Sequence, residues 1–556
     1  MQKFLGLLLL LIPALSQNSL AQQGDTSYSR EWLDIDTTLS INQLPRTALD
    51  KVNQLYQKAV KANLGPQQLK CILYKMTLEE LVNERVDLSA IRVLNKEIEL
   101  QKDPLTRMVL HTLLAKQLFR YYEDNRWKIQ NRNQQGAVPG SGDISRWDSN
   151  DFDNAIRLAY KKALLQPALL KPMPVSAIKA IVMPGSGPIQ PDNWWELILL
   201  EKIAYFKNPV PRNPLNVSGK DYLPNAFTDP EAFVKISFPQ KDSSSEVTVL
   251  KDYQLLMQAA LDKKQAEKLV GLQIDKITWA WGELTPQEKY QTAYQQALFA
   301  VILKYPDQIA TLQAYYLQAE QELQAEKNDE LSPNRKNGYL AAEQLLTQAL
   351  NKSTRTLPET DAIKKLLATI QQPKLRIQTE LVYLPNQPIL SLVNYTNTPR
   401  VYFSIVSLNM NEWEKYAADN KETDGALLKK VAIQEKKWEL PASGDRRNHS
   451  TEVMINPLAP GKYAIIASSM LDLNNNECII SVSTFQVSAI AALQQSNQWL
   501  AVNRSNGEPL ANADFQFYSS SWSSKGRVYQ RIQAAKGKAD ANGQFKLDNQ
   551  TGNIGG

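Results

Sequence analysis

The sequence predicts a multidomain protein with an irregular α-helical first part followed by antiparallel β-sandwiches in its last third. Three observations lead to this fold class. Apolar residues recur at helical spacing from about residue 46 to residue 370. Apolar and polar side chains alternate from about residue 374 onward, and turn-forming residues separate the alternating segments. At 556 residues, the chain is long enough for several domains.

Residues 1–21 have the features of a secretory signal peptide. Lys3 precedes an apolar run over residues 4–15, and Ser19-Leu20-Ala21 supplies the small residues for cleavage after Ala21. The apolar run is too short to be a good membrane span. We therefore expect an exported protein, periplasmic, at the cell surface or secreted, that contacts a membrane only peripherally. Residues 22–45 are expected to be a flexible segment.

Residues 46–205 are predicted to form helices. Thr47 is expected to cap a helix that Gly65-Pro66 ends, and Asp103-Pro104 is expected to open another. The segment Thr77-Leu78-Glu79-Glu80 has the spacing of a capping box, in which the Thr oxygen and the Glu carboxylate accept each other's backbone amides. It therefore predicts the start of a helix.

Residues 206–249 are rich in proline and serine and predict an irregular connection. Helices are predicted again over residues 250–370. Within them, residues 290–324 weakly resemble a tetratricopeptide-type hairpin. Because no repeat recurs at the period of about 34 residues that such arrays have, we expect irregular paired helices.

Residues 374–489 predict a first β-sandwich. The alternating segments suggest six or seven strands, which is typical of a sandwich. Residues 411–435 are charged and are expected to form a short helical insertion. The predicted strands cover residues 375–381, 389–395, 401–408, 451–455, 463–468 and 478–487.

Residues 490–556 predict a second sandwich that is incomplete. Strands are expected over residues 499–503, 514–518, 527–533 and 544–547. About four strands would leave open edges and a half-covered core. We therefore expect either that the chain is a fragment of a longer protein or that another subunit completes this domain.

No catalytic constellation is predicted, and the chain is not expected to be an enzyme. It has two histidines, His111 and His449. His111 lies on an apolar helical stripe and is interpreted as a packed side chain, whereas His449 lies in a polar loop and is interpreted as part of a solvated turn. A Ser-His-Asp triad needs a histidine base, and neither histidine has a nucleophile motif. No catalytic residue is therefore assigned.

No cofactor, metal or nucleic-acid site is predicted either. Gly140-Ser141-Gly142 and Gly185-Ser186-Gly187 lack the nucleophile-elbow pattern and are interpreted as loops. The aspartates around Ser149 lack the glycine and the terminal glutamate of a calcium loop, so helix capping is the preferred interpretation. They are Asp148, Asp151 and Asp153. The net charge of +6 is spread over both signs, which gives no nucleic-acid arm.

Cys71 and Cys478 are the two cysteines. An oxidising compartment would permit a bridge between them. They lie in segments of different predicted type, so two separate buried thiols are favoured, and the pairing stays open.

Two tryptophan clusters allow two interpretations. A flat indole can stack on a sugar ring, but core packing in a helical domain is favoured. These clusters are Trp194-Trp195 and the pair Trp279 and Trp281. Tyr121, Tyr122 and Trp127 are interpreted in the same way.

Several segments, taken in order, resemble the N-terminal part of bacterial α2-macroglobulin-like proteins of the Bacteroidetes type. The resemblance covers most of the mature chain, and the order of the segments carries it. The segments are KCILYK (70–75), RMVLHTLLA (107–115), YYEDNRW (121–127), DISRWD (143–148), NWWE (193–196), PILSLVNY (388–395) and GEPLANA (507–513).

The resemblance implies macroglobulin-like sandwiches, which are similar to fibronectin type III domains, and a broad-spectrum bait-and-trap endopeptidase inhibitor. In such proteins cleavage of a bait triggers a collapse that traps the protease, and many carry a Cys-x-Glu-Gln thioester. Cys71 is followed by Ile72-Leu73-Tyr74 and Cys478 by Ile479-Ile480-Ser481, so neither cysteine fits the thioester. The bait is expected beyond residue 556. This chain would supply scaffold and accessory helical domains, and host or competitor proteases would be partners of the full-length protein.

A second hypothesis stays open. The chain could be a cell-envelope scaffold or adhesin that binds peptides or glycans through its helical region, with cell-envelope proteins as partners. A hydrolase is the least favoured class, because no poised nucleophile and base are found.

Overall fold

We describe the fold from a computed structural model of the chain. The structure describes residues 28–82, 88–132, 142–175, 187–211, 219–239, 244–328, 337–353, 357–418, 425–441, 444–523 and 528–547. The predicted signal peptide lies outside these residues.

The chain divides into two compact units. One comprises Met1–Gln321 and Gln348–Thr360, and the other Glu322–Thr347 and Asp361–Gly556. The first is helical, and we call it the helical unit. The second contains the described strands, and we call it the β unit. The predicted combination of helices followed by antiparallel β-structure is therefore confirmed.

The helices of the first unit are α1 Ser29–Ser40, α2 Pro45–Lys61, α3 Gly65–Val82, α4 Ser89–Leu100, α5 Pro104–Asp124, α6 Arg126–Arg132, α7 Ser149–Ala163, α8 Pro167–Leu170, α9 Trp194–Lys207, α10 Pro230–Phe233, α11 Ser245–Asp262, α12 Ala266–Glu283 and α13 Gln291–Lys304. Three further helices contain residues of both units: α14 Thr311–Asn328, α15 Gly338–Lys352 and α16 Pro358–Gln371. None of the described helices is both long and apolar enough to cross a bilayer.

Helix α9 lies at the centre of the helical core. Residues on all of its faces are buried, which is typical of a helix enclosed by others rather than lying at a surface. Helices α11 and α7 pack against it, α5 packs against α7, and α12 packs against α11. One continuous hydrophobic core extends through this unit from Trp32 to Leu284.

Three details of the helical prediction are wrong. The segment predicted to be flexible contains α1, whose Trp32, Ile35 and Thr38 are buried on one face. Helix α2 begins at Pro45 and not after Thr47, because a proline in the first turn loses no helical hydrogen bond. Thr77 does not start a helix: it lies inside α3, where its hydroxyl donates to the Leu73 carbonyl at 3.2 Å.

The segment 206–249 is more ordered than predicted. Part of it lies outside the described residues, but it contains a 3-10 helix, Lys220–Phe227, and the short helix α10. Helix α11 begins at Ser245, before the predicted position, because the Ser244 side chain accepts the Val247 amide and caps it.

In the predicted range of the first sandwich, the described residues of the second unit form eight strands: β1 Lys374–Gln378, β2 Val382–Tyr383, β3 Ile389–Thr396, β4 Arg400–Ser407, β5 Gln434–Glu439, β6 His449–Ile455, β7 Gly461–Ser468 and β8 Ile480–Val487. The predicted helical insertion is present as α17 Met410–Ala418 and α18 Gly425–Leu428. Strand β5, which begins at the end of the predicted insertion, was not predicted.

These strands form a three-stranded sheet, β1-β3-β6, and a five-stranded sheet, β2-β8-β7-β4-β5. The pairs are antiparallel except for β2 with β8. Alternate residues of both sheets share one hydrophobic core, so the two sheets pack face to face. The three-stranded sheet contributes Leu375, Ile377, Ile389, Val393, Tyr395, Val453 and Ile455, and the five-stranded sheet Val401, Phe403, Ile405, Tyr463, Ile465, Ala467, Phe485 and Val487.

The remaining strands are β9 Ile490–Gln495, β10 Gln498–Asn503, β11 Asp514–Ser523, β12 Val528–Lys538 and β13 Gln544–Lys546. They form the sheet β13-β10-β9 and the hairpin β11-β12. Trp499, Phe517 and Phe545 pack their rings together between them. Gly537 lies beside this cluster, where a Cβ would lie 2.0 Å from the present position of the Phe545 ring, so a larger residue would require the ring to move. Strand β9 was not predicted.

Candidate functional site

His111 is a packed side chain of α5, as predicted. Burial is the main cause that lowers its pKa to about 4, and the charges of Lys162 and Arg107 add to this effect. Its Nδ1 atom is buried and has no hydrogen-bond partner among the described residues. The ring is therefore neutral at neutral pH, and no described residue holds Nδ1 in the way that the aspartate of a catalytic triad does.

His449 does not lie in a solvated turn, so that interpretation is wrong. It is the first residue of β6, where the register with β3 places it opposite Tyr395. The two rings are 5.7 Å apart, and His449 Nε2 lies 2.8 Å from Asp445 Oδ1. These contacts give the ring a structural role in positioning the loop before β6.

The predicted helix capping around Ser149 is confirmed. The Asp151 amide donates to Asp148 Oδ1 at 2.8 Å, and the Asp148 amide donates back to Asp151 Oδ2 at 3.3 Å. Asp153 is instead buried and pairs with Arg157 at 2.6 Å. Within the described residues, no group of three or more histidine, cysteine, aspartate or glutamate side chains could hold a metal ion.

The tryptophan prediction is confirmed in most places. Trp194 and Trp195 are buried in the helical core, and Trp281 stacks on Tyr294 with 4.5 Å between ring centroids. Trp127 is the exception, because 78% of it is exposed. Trp194 and Trp195 therefore offer no flat surface to a sugar.

Both cysteines are free thiols. Cys71 is buried, and burial raises its pKa to about 12, so it is a poor nucleophile at neutral pH. Cys478 is half-buried, so the prediction of burial is correct for Cys71 alone. Most of the two Gly-Ser-Gly loops lies outside the described residues.

Ion pairs join α9 to the helices around it. Glu196 accepts Lys263 Nζ at 2.8 Å and Lys268 Nζ at 3.0 Å. Farther along the helix, Glu201 pairs with Lys116, Lys202 with Asp252, and Lys207 with Asp275, at distances of 2.8 to 2.9 Å. The partners are far apart in sequence, so sequence reasoning did not find them. The carboxylates Glu196, Glu201 and Asp252 are buried, so removing the cation of one of these pairs would leave an uncompensated buried charge.

Lys276 is a charged side chain with no exposed surface. Burial lowers its pKa well below the usual value, and Asp229 opposes this shift. Its ammonium lies 3.3 Å from the Thr228 carbonyl oxygen and over the ring of Phe233. Since Lys276 is fully enclosed, no dissolved substrate reaches it.

Two arginines before β6 form what we call the arginine clamp. Arg446 donates two hydrogen bonds to Glu343, at 2.8 and 3.0 Å, and Arg447 donates two to Glu326, at 2.6 and 3.1 Å. Glu326 is 4% exposed and also accepts the Gly338 amide at 2.9 Å. Paired bonds from a planar guanidinium fix geometry as well as adding energy. The clamp therefore fastens the helical residues of the second unit to its β-sandwich.

A cleft lies between β5 and β6, the edge strands of the two opposed sheets. Its volume is about 280 Å³. Its floor is apolar and consists of the core residues Phe403, Ile405, Val453 and Ile455. Gln434, Glu435 and Lys436 line one wall, and Met454 and Asn456 line the other.

Two side chains bridge this cleft. Lys436 Nζ donates to the Met454 carbonyl oxygen at 3.3 Å, and Gln434 Nε2 donates to the Asn456 carbonyl oxygen at 3.5 Å. Both distances are long for hydrogen bonds, so the bridges are weak. Met454 lies in β6 and Asn456 follows its last residue, so the carbonyl oxygens that accept these bonds lie on the cleft side of β6.

An exposed apolar surface continues from the cleft onto the outer face of the three-stranded sheet. Met454 lies opposite Leu390 in the β3-β6 register, and these residues are 51% and 49% exposed. Leu392 lies two residues farther along β3 and is also exposed. These three side chains give the outer face of the sheet a small exposed apolar surface beside the cleft.

No model of a protein family matches the sequence, and no curated protein matches it either. The sandwich topology and the cleft are therefore the features from which a function is inferred.

Proposed function

We propose that this chain is the N-terminal part of an exported bait-and-trap endopeptidase inhibitor of the α2-macroglobulin type. Within it, the chain supplies scaffold and accessory helical domains and carries neither bait nor thioester. The strand order of the first sandwich is the observation that carries this proposal.

Apart from the two-residue strand β2 at the edge of the second sheet, the sheet orders β1-β3-β6 and β8-β7-β4-β5 resemble those of a seven-stranded immunoglobulin-like or fibronectin-like sandwich, which supports the proposal. Macroglobulin-like domains belong to this architecture. A second strand-rich module follows at once, because β8 ends at Val487 and β9 begins at Ile490. Such close succession of β-modules supports a tandem scaffold.

The internal bonding also supports a scaffold. A trap changes state by moving rigid bodies against each other, since packed cores do not bend continuously. The α9 ion pairs stiffen the helical unit, and the arginine clamp stiffens the β unit. The burial of Cys71 supports the view that this cysteine is not a reactive thiol.

The alternative of a glycan-binding adhesin has less support. That alternative places peptide or glycan binding in the helical region, and two aromatic side chains there that could stack on a sugar, Trp194 and Trp195, are buried. Two of the groups that a hydrolase would need are also in structural roles, because His111 is packed and His449 is held by Asp445.

The test compares this chain with the product of the complete reading frame. Each protein is mixed with a panel of endopeptidases, and cleavage is measured on a large protein substrate and on a small chromogenic peptide. We expect the complete protein to block cleavage of the large substrate and to spare the small one, because a small molecule still reaches a trapped protease. This chain alone should affect neither reaction.

Two results would refute the proposal. One is a reading frame that ends after Gly556 and encodes no further sandwich. The other is a complete protein that leaves both cleavage rates unchanged for every protease in the panel.

A further inference from the structure

We propose that the cleft between β5 and β6 binds an extended segment of a partner polypeptide, which adds a strand next to β6. This inference concerns the β unit alone and does not rest on the proposed protease trap.

Both walls of the cleft come from edge strands, β5 on one side and β6 on the other. Among the described residues, β5 pairs with β4 alone and β6 pairs with β3 alone, so each is the edge of its sheet. Edge strands present backbone N–H and C=O groups that another strand can satisfy. Recognition of peptides by strand addition uses such edges.

The second argument is the pair of bridging side chains. The Met454 and Asn456 carbonyls are two residues apart, so they point to the same side of β6. An added strand would present amide donors at the same spacing. Lys436 and Gln434 therefore make weak hydrogen bonds to two carbonyl oxygens that the backbone amides of an added strand could bind in their place.

The third argument concerns the chemistry of the occupant. The apolar floor, formed by Phe403, Ile405, Val453 and Ile455, accepts an apolar side chain directed inward. The Lys436 ammonium forms no ion pair with a carboxylate in the described part of the chain, and it lies over the ring of Trp438 at 4.6 Å. The preferred partner is thus an extended peptide that alternates apolar and polar residues and carries an acidic side chain beside the cleft.

The probe is a synthetic peptide, acetylated and amidated at its ends, that alternates valine and threonine around one central glutamate. Binding to the whole chain is followed by the NMR signal of a labelled Met454 methyl group. We expect saturable binding. A peptide with the same sequence but N-methylated on alternate amides should bind about tenfold or more weakly, because it loses two or more backbone hydrogen bonds.

Lys436→Glu tests the charge preference. In this variant a probe with a central lysine should bind better than the glutamate probe, which reverses the order found for the native chain. Lys437→Glu is the matched control, because it changes the net charge equally while its side chain pairs with Glu439 and does not line the cleft. It should keep the native order.

Three results would overturn the inference: no saturable binding of the glutamate probe, equal binding of the N-methylated probe, or equal effects of Lys436→Glu and Lys437→Glu. The N-methylation comparison uses the native chain, so it stands even if a variant folds poorly.

Discussion

The His111 side chain makes the stability of the helical unit depend on pH. Its pKa is lowered from 6.5 to about 4 in the folded protein, mainly by burial. Between these values the unfolded chain binds more protons, so stability is complete above pH 6.5 and is lost as the pH falls toward 4.

We therefore expect the free energy of unfolding to fall by about 2 kcal/mol between pH 7 and pH 5 from this residue alone, since one pKa unit corresponds to about 1.4 kcal/mol. His111→Leu should remove this part of the loss. Urea unfolding of the helical unit at both pH values measures it. An equal loss in the native chain and the variant would show that His111 is not the group responsible.

For single residues, the sequence predicts which side chains are buried better than it predicts which charged side chains pair. The apolar stripe of α5 predicted the burial of His111, and the aspartates around Ser149 predicted helix capping there. The contacts of Glu326 and Glu201 depend on partners 121 and 85 residues away, and no local pattern reports such distances. The exposure of Trp127 was missed for the same reason.

Among the elements, the arginine clamp connects α14 and α15 to the loop before β6. Its two arms differ in burial: Glu326 is enclosed, whereas Glu343 and Arg446 are partly open to water. A buried carboxylate without its cation costs several kcal/mol, whereas an exposed pair contributes about 0–1 kcal/mol.

Arg447→Met should therefore reduce the stability of this unit by about 2–3 kcal/mol, and Arg446→Met by about 1 kcal/mol or less. Amide hydrogen exchange of α15 and β6 in the whole chain measures both changes. Similar small effects of the two substitutions would contradict the assigned role of the buried arm.

Elements with a clear apolar period were predicted, and those without one were not. Strands β3, β4 and β7 alternate or are continuously apolar and are present as expected. Strand β5 has the sequence QEKKWE, and strand β9 is largely exposed. Both are edge strands whose side chains show no alternation of apolar and polar residues, so only their pairing with a neighbouring strand identifies them. Helix α1 was missed because one buried face of a short helix resembles a polar linker.

The cleft shows the same limit. Its residues come from β4, β5 and β6, and strand register brings them together. The sequence predicted β4 and β6. It did not predict which strands pair with them, nor the open side between the two sheets. Sequence reasoning consequently found the sandwich and missed the surface.

On the scale of the whole molecule, a helical unit and a β unit divide the chain, and the β unit contains tandem strand modules. Each unit has its own dense core and its own buried ion pairs. Such a construction is expected of a protein whose domains move as rigid bodies. We propose that these parts belong to a scaffold that collapses when a protease cuts it.

Small-angle X-ray scattering of the complete reading-frame product, before and after addition of an endopeptidase, tests that claim most directly. The trap account predicts a decrease in the radius of gyration of the scaffold and co-elution of the protease with it. An unchanged radius after cleavage, with the protease released, would contradict the account.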